Sequence, residues 1–192
     1  MSDSFRHPDR MICHDDHDRE YHPDNADDRE NQTEFCNEIK EWGKMMENII
    51  ALRATQTWQR AGAYSVRIQG MNRQHHISLR EEFDEHDGEG SQYIVLLDEE
   101  YPVATCRFYE LDENTVLLGR VVVLPEYRGK HLGARVIREA EQWIAELGYT
   151  EILIDARLEA TGFYEKLGYS RSDNKVFKSW KFDCTRMMKR IG

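Results

Sequence analysis

The sequence predicts a mixed α/β (α+β) fold, in which a mostly antiparallel sheet carries helices on both faces. Three strand-like runs, at 92–98, 102–111 and 115–124, follow one another with short polar connections that suit β-hairpins. From the last of these runs onward the pattern alternates strand, helix, strand, helix and strand, which mixes the sheet and supplies helices to cover it. A chain of 192 residues is long enough for one such core and a tail.

The N-terminal segment divides into two parts that precede the predicted domain. Residues 1–32 are rich in Asp and His and almost without aliphatic side chains, so we expect a disordered acidic leader. Apolar residues then recur at helical spacing, which predicts a short linker helix over 33–47. The leader contains metal-ligand side chains in "CHDDHD" but lacks the spacing of a structural zinc module, so we expect no metal site.

The domain predicted over 48–192 begins with a strand at 48–55 and a helix at 57–71. The residues predicted for the inner face of that helix are Trp58, Ala61, Val66 and Ile68. The polar stretch 73–91 is interpreted as a loop or a short second helix, and the three strand-like runs follow it.

The second half of the domain starts from the run at 115–124, which is apolar almost throughout and therefore predicts a central strand covered on both faces. A helical stripe follows, and Gly148 ends it. The stripe consists of Leu132, Val136, Ile137, Ala140, Trp143, Ile144 and Leu147. The remaining elements are a strand at 151–156, a short helix at 159–168 and one or two strands within 175–190.

Composition excludes some classes of partner. The formal net charge of −10 argues against binding to duplex nucleic acid, because contacts with phosphates need a basic face. No apolar run approaches the roughly 20 residues that span a bilayer, so we expect no membrane partner and a cytoplasmic location. The four cysteines lie far apart, which predicts free thiols rather than disulfides.

The turn "EYRGKHLGAR", at 126–135, gathers basic residues and glycines between the central strand and the longest helix. The start of a helix offers unpaired backbone N–H groups and a partial positive charge of about half a unit. Gly129 and Gly133 would let that backbone approach phosphate oxygens, and Arg128 and Lys130 would add charge. The alternative is an ordinary strand-to-helix turn with solvated basic residues.

Two motifs resemble those of a known family. The stretch "VVVLPEYRGKHLGARV" is similar to the [Q/R]-x-x-G-x-[G/A] signature of the GNAT superfamily of acyl-CoA-dependent N-acyltransferases. The stretch "FYEKLGY", at 163–169, resembles the form that many members carry after their fifth strand. "SVRIQGM" and "EEFDEHD" look like segments of a bacterial subgroup, and the resemblance covers about 48–192. This chain departs from the family pattern at His131, Arg157 and Asp183-Cys184.

The resemblance implies a GNAT-like fold with acetyl-CoA as cosubstrate, no metal, and a coenzyme cleft between the fourth and fifth strands. It implies that Tyr164 is the acid that protonates the coenzyme thiolate. The coenzyme-binding residues it implies are Val121, Val122, Val123, Arg128, Gly129, Lys130, His131, Leu132, Gly133, Ala134, Arg157 and Tyr164. Glu82 and Asp84 are candidate acceptor contacts, and the base is left open among Glu81, Glu82, Asp84, Asp155 and water.

The implied function is acetyl transfer from acetyl-CoA to a primary amine of a small molecule or a protein. One alternative is a catalytically weak, regulatory module that binds acyl-CoA. Another is acetylation of aminoacyl-tRNA, against which the lack of a basic patch counts. The sequence leaves a homodimer and the identity of the amine open.

Overall fold

The computed structural model describes residues 48–88 and 90–192, so the predicted leader at 1–32 and linker helix at 33–47 lie outside the described residues. The described strands are β1 (Ile49–Arg53), β2 (Gln92–Asp98), β3 (Tyr101–Glu110), β4 (Thr115–Val123), β5 (Glu151–Arg157), β6 (Ser170–Arg171), β7 (Phe177–Ser179) and β8 (Phe182–Arg190). The described α-helices are α1 (Thr57–Arg67), α2 (Arg73–His75), α3 (Leu79–Glu82), α4 (Leu132–Glu146) and α5 (Thr161–Glu165).

The strands form one sheet in the order β1-β2-β3-β4-β5-β8-β6, with β7 paired to β8. Every pairing among the described strands is antiparallel except that of β4 with β5. Helix α4 packs on one face, where its apolar stripe joins the main core, and α1 covers the other face through contacts with β2 and β4. The predicted mixed, mostly antiparallel sheet with helices on both faces is confirmed.

The face that α1 buries agrees with the prediction at Val66 and differs from it at Trp58 and Ala61. Trp58 is 55% exposed and Ala61 is exposed, so their assignment to the inner face was wrong. The buried stripe consists of Gln59, Ala63, Val66, Arg67 and Gly70. Gln59 and Arg67 can be buried because their polar groups form hydrogen bonds inside the protein. These bonds favour burial of Gln59 and Arg67 over burial of the more apolar Trp58.

Helix α1 continues through a π-helical segment, Ile68–Asn72, into α2. Gly70 faces β4 here, and a Cβ atom added to it would lie 2.4 Å from Val122 Cγ1. The glycine therefore allows the helix to approach the central strand closely. The predicted short second helix is present as α3, which begins after Ser78 in a capping box with Glu81.

Helix α4 confirms most of the predicted stripe. Leu132, Val136, Ile137, Ala140 and Ile144 are buried and Trp143 is partly buried in the main core. Leu147 is 51% exposed, because the helix ends at Glu146 and Gly148 turns the chain away with φ of +93°. Cys106 and Cys184 are free thiols, as predicted, whereas Cys13 and Cys36 lie outside the described residues.

Candidate active site

The sheet opens between its two parallel strands. β4 and β5 pair only from Thr115 to Leu117, opposite Glu151 to Leu153. Beyond Leu117 a β-bulge interrupts β4, since Thr105 and Arg107 of β3 pair with Val122 and Gly119. Within the bulge Arg120 has φ of +51°, a left-handed conformation that is uncommon for a residue with a side chain. The bulge and the early end of pairing separate the C-terminal parts of β4 and β5.

One cavity, of about 540 Å³, lies between β4 and the start of α4, and we call it the coenzyme cavity. Its lining residues are Val121, Val122, Val123, Tyr127, Arg128, Gly129, His131, Leu132, Gly133, Ala134, Ala160, Phe163 and Tyr164. Most of the predicted coenzyme-binding residues are therefore together. Lys130 and Arg157 do not line this cavity, whereas Tyr127, Ala160 and Phe163 line it without having been predicted.

The turn before α4 is built from two left-handed residues. Gly129 has φ of +74°, and His131, the residue before the helix, has φ of +57°. Histidine is strained in this conformation, as expected for a position where the family signature has glycine. The first-turn N–H groups of α4, which begins at Leu132, have no intrahelical acceptors, and N–H groups at the start of a helix can bind an anion.

The basic side chains of this turn make contacts with the protein. Arg128 donates from Nε to the Val123 carbonyl at 3.1 Å and from Nη2 to Gln74 Oε1 at 2.8 Å. Lys130 Nζ lies 5.0 Å from the centroid of the Tyr127 ring. Arg128 thus fixes the turn to β4, and Lys130 contributes charge from outside the cavity lining.

Gly133 allows α5 to approach α4 across the coenzyme cavity. A Cβ atom added to Gly133 would lie 3.3 Å from Phe163 Cζ and 3.7 Å from Val123 Cγ2. Phe163 in turn packs edge-on against the Tyr164 ring. The glycine therefore sets the width of the cavity as well as freeing its backbone N–H.

A second cavity, of about 440 Å³, opens on the other side of Tyr164, and we call it the acceptor cavity. It shares Val121, Val122, Ala160 and Tyr164 with the coenzyme cavity. The remaining lining residues are Met71, Ile77, Glu81, Glu82, Gly119, Arg120, Ile154, Asp155, Arg157, Glu159, Ser179, Trp180, Phe182 and Cys184. The two cavities meet where β4 and β5 separate.

Tyr164 stands at this junction with a protonated phenol. Burial raises the pKa of Tyr164 to about 12, and the residue is 9% exposed. Its ring makes edge contacts with Phe163 and Tyr169. Within residues 48–88 and 90–192, no hydrogen bond holds its hydroxyl, which is therefore available to a ligand.

Glu82 and Asp84 belong to a buried charge network, which we define as Arg67, Glu82, Asp84, Asp87, Arg107 and Arg120. Arg67 Nε donates to Glu82 Oε1 at 2.7 Å, and Glu82 is 2% exposed. Arg107 Nη1 and Arg120 Nη2 donate to Asp84 at 2.7 and 2.9 Å. Glu82 is therefore not a solvated surface charge, and arginines compensate its burial.

Glu82 and Asp84 differ in their access to the acceptor cavity. Glu82 lines the acceptor cavity, and among the described residues its Oε2 atom has no hydrogen bond. Asp84 lines neither cavity, since both of its oxygens accept from Arg107 or Arg120. The sequence predicts Asp84 as an acceptor contact. In the structure its carboxylate instead binds Arg107 of β3 and Arg120 of β4 and does not line the acceptor cavity.

Of the other acids of the acceptor cavity, Asp155 and Glu81 have both oxygens hydrogen-bonded, whereas Glu159 is 76% exposed. Asp155 accepts from Arg186 Nε and Nη2 at 2.8 and 3.1 Å. Glu81 Oε1 accepts from the Trp180 indole at 2.7 Å, and its Oε2 accepts from Ser78 at 2.6 Å. The hydrogen bonds from Ser78, with that from Trp180, lower the pKa of Glu81 to about 2. The Glu81–Trp180 contact also ties α3 to the β7–β8 hairpin.

Arg157 lies in the acceptor cavity rather than among the coenzyme contacts implied for it. Its guanidinium carbon is 3.4 Å from the centroid of the Phe182 ring. Phe182 is the first residue of β8, the strand whose Cys184 pairs with Arg157 of β5.

Two further properties of the described residues bear on the site. They contain no group of three or more His, Cys, Asp and Glu side chains arranged to hold a metal ion. In the same part of the chain, no helix has the length and apolar character needed to cross a membrane.

A mixed sheet that opens between its parallel strands, with a left-handed turn leading into the next helix, defines the acyl-CoA N-acyltransferase fold. Within that class the chain belongs to the acetyltransferase (GNAT) family, whose model matches residues 45–169. The family uses acetyl-CoA as cosubstrate. The predicted resemblance is therefore confirmed at the level of the family.

Individual relatives place the chain among uncharacterized members. An uncharacterized acetyltransferase of Streptococcus pyogenes is 30% identical over 113 residues, covering 59% of this chain and 77% of the relative. The uncharacterized Bacillus subtilis protein YyaT is 35% identical over 105 residues, covering 54% of this chain and 70% of the relative. A solved structure of an N-acetyltransferase of unproven activity from Lactobacillus plantarum has a TM-score of 0.70 at 27% identity, covering 74% and 97% of the two chains.

Proposed function

We propose that the protein transfers the acetyl group of acetyl-CoA to a primary amine of a small molecule or a protein. The observation that carries this proposal is the junction of two cavities at Tyr164, with β4 forming a wall of both. A thioester held on one side of the junction faces an amine held on the other. Positioning of this kind, at about 3 Å between nitrogen and carbonyl carbon, supplies much of the rate enhancement in a direct attack.

The coenzyme is expected to bind through backbone groups. Its pyrophosphate accepts from N–H groups of Gly129 and of the first turn of α4. The pantetheine arm, which contains amides, lies along Val121 and Val123, where β4 has lost its pairing with β5. These contacts fix the thioester carbonyl at the junction of the cavities.

The reaction requires two proton transfers. The amine nitrogen forms a bond to the carbonyl carbon while the bond from carbon to sulfur breaks. The nitrogen gives up two protons on the way from ammonium to amide: a base takes the first before the attack, and the second replaces the proton that an acid gives to the departing thiolate. An alkyl ammonium with a pKa of about 10.4 is neutral about once in 10^3.4 molecules at pH 7, equivalent to roughly 4.6 kcal/mol. A base in the acceptor cavity lowers this barrier, and an acid beside the sulfur completes the step.

Tyr164 and Glu82 are the proposed acid and base. The hydroxyl of Tyr164 carries a proton at neutral pH and has no hydrogen bond within the described residues. Glu82 is the buried acid of the acceptor cavity with an oxygen left unbonded there, whereas Asp155 and Glu81 have both oxygens engaged. This chemistry implies the cytosol, where acetyl-CoA is available.

Tyr164→Phe tests the assignment, with Tyr149→Phe as the matched control, since the Tyr149 hydroxyl bonds to Glu110 and Tyr149 lines neither cavity. We expect Tyr164→Phe to lower turnover about 10²-fold with unchanged affinity for acetyl-CoA, because only the proton donor is lost. Thiol release with a panel of amines measures turnover, and calorimetry measures coenzyme binding. Unaltered turnover in Tyr164→Phe would refute the role of this residue.

The same assays test the proposed function itself. Stabilisation of the protein by acetyl-CoA, without thiol release for any amine, would indicate a regulatory module that binds the coenzyme. Absence of coenzyme A binding at millimolar concentration would overturn both the proposed acetyltransferase and the regulatory module.

A further inference from the structure

The guanidinium of Arg157 is a cavity-lining cation with few strong partners. Arginine offers five N–H donors. Among the described residues, Arg157 donates one hydrogen bond, from Nη2 to the Met71 thioether at 3.6 Å, and sulfur is a weak acceptor. Its nearest carboxylate is Glu159, at 3.7 Å and with a side chain that is 76% exposed. Solvent-exposed pairs at such separations bind weakly.

The neighbouring arginines are held much more firmly. Arg120, which lines the same cavity, donates to Asp84 at 2.9 Å, and Arg186 binds both oxygens of Asp155 at 2.8 and 3.1 Å. Arg157 is also partly buried, with a side chain that is 25% exposed. It therefore presents a desolvated positive charge to the acceptor cavity, and the protein compensates this charge incompletely.

The surroundings of Arg157 fix its orientation and partly remove its guanidinium from solvent. The face of the guanidinium stacks on Phe182 at 3.4 Å, which leaves the donor edges for hydrogen bonding. Burial and then the charges of Arg157 and Arg128 lower the pKa of His75, whose ring packs edge-on against Phe182. Burial likewise lowers the pKa of Arg157 itself. An anion is the ligand that this environment favours.

The chemistry of the anion follows from the rest of the cavity. A planar guanidinium edge matches a carboxylate, which can accept two parallel hydrogen bonds from it. The walls also contain Glu81, Glu82, Asp155 and Glu159, so a doubly charged phosphate would meet more repulsion than a singly charged carboxylate. The unbonded oxygen of Glu82 suits an ammonium in the same cavity. A zwitterion satisfies both groups.

We propose that the acceptor is an amino acid or another primary amine with a carboxylate, and that Arg157 binds this carboxylate and determines specificity. The inference rests on the proposed acetyl transfer and narrows its substrate class. The acetylated nitrogen would lie toward Glu82 and Tyr164, with the carboxylate toward Phe182.

The test compares amines that differ only in the carboxylate. The pairs are phenylalanine with phenethylamine, lysine with cadaverine and alanine with ethylamine, and kcat/KM for thiol release is measured for each. We expect the carboxylated member of at least one pair to be preferred about 10²-fold, because a site built for a polar group discriminates strongly against an analogue lacking it. In Arg157→Gln the preference should fall to about one, and Arg157→Lys should retain part of it.

Controls separate recognition from structural damage. Arg190→Gln removes an arginine that is 81% exposed and pairs with Glu151, and it should leave the preference unchanged. Affinity for acetyl-CoA, measured by calorimetry, should be the same in Arg157→Gln and the wild type. A lowered affinity of Arg157→Gln for acetyl-CoA, with an unchanged preference for carboxylated amines, would overturn the inference. It would indicate that Arg157 binds the coenzyme instead.

Binding of products provides a readout that does not need turnover. With coenzyme A present, N-acetylphenylalanine and N-acetylphenethylamine are titrated into the wild type and Arg157→Gln, and the other pairs are treated alike. Acetylation of amines with no preference in any pair overturns the inference and leaves the proposed function standing. If the carboxylated products bind more tightly but no amine gives thiol release, the carboxylate site stands and the proposed acetyl transfer is overturned. Binding of neither member of any pair at millimolar concentration overturns the carboxylate site.

Discussion

Replacing Arg67 with methionine tests how much the buried charge network stabilises the protein. Arg67 is 0% exposed and donates to Glu82 Oε1 at 2.7 Å and to the Glu82 carbonyl at 2.6 Å. It also binds both oxygens of Asp87. Methionine has a similar length but no donors, so Glu82 loses a partner inside the protein and Asp87 keeps Arg107, Tyr93 and the backbone N–H of Asp84.

The expected loss is about 3–5 kcal/mol, the usual result of removing one partner from a buried ion pair. Single domains have unfolding free energies of about 5–15 kcal/mol, so this loss is a large share of the total. Arg53→Met is the matched control, because Arg53 and Glu146 form a pair whose side chains are 40% and 46% exposed. An exposed pair contributes at most about 1 kcal/mol.

Urea denaturation followed by circular dichroism measures both variants. Equal losses in Arg67→Met and Arg53→Met would refute the argument that burial makes this network strong. A change in the slope of unfolding against urea would indicate an altered denatured state, and the midpoints would then be compared at fixed slope.

The pH dependence of the same measurement gives a second check. Burial tends to raise the pKa of Asp87, but hydrogen bonds from Arg67 and Tyr93 outweigh it and hold this pKa well below its usual range. A depressed folded-state pKa contributes stability that is complete above the unfolded value, near 4, and is lost as pH falls toward the folded value. The difference between wild type and Arg67→Met should therefore narrow below about pH 4.

Two other substitutions test the close approaches described above. Gly70→Ala places a Cβ atom 2.4 Å from Val122 Cγ1, so we expect a loss of about 1–3 kcal/mol despite the better helix propensity of alanine. Adding Val122→Ala should recover part of that loss, and a double-mutant cycle of urea midpoints without favourable coupling would contradict the contact. His131→Gly should stabilise the protein by up to about 1 kcal/mol, because glycine adopts φ of +57° without strain. A lower melting temperature in His131→Gly would contradict this expectation. It would show that the histidine side chain stabilises the protein by more than its backbone strain destabilises it.

Local signals were sufficient for the coenzyme side of the site. The glycine-containing turn and the apolar stripe of α4 are continuous in sequence, and one motif marked His131 as a departure from the family pattern. The acceptor side depends on contacts between distant segments. Arg67 and Glu82 are 15 residues apart, and Glu81 and Trp180 are 99 apart, so neither partnership has a signature in one stretch of chain.

Side-chain direction accounts for the remaining differences between the sequence predictions and the structure. Arg157 occupies the sequence position of a coenzyme contact, yet its stacking on Phe182 turns the guanidinium toward the acceptor cavity. Helix α1 is rotated so that Gln59 and Arg67 are inside, and hydropathy alone favours Trp58. The partners of Arg157 and Arg67 lie on other elements, which a periodic pattern does not contain. Gln59 instead accepts from the backbone N–H groups of Thr55 and Gln56, just before the helix.

The short parallel pairing of β4 and β5 divides the sheet into two half-sheets joined by three residue pairs. Beyond these pairs β4 and β5 no longer pair with each other, and no other described strand lies between their facing edges. An extended ligand with alternating amide donors and acceptors can complete this ladder, and its two neighbours can shift apart without breaking any hydrogen bond between them. The gap in the sheet therefore offers the unpaired edges of β4 and β5 to an extended ligand.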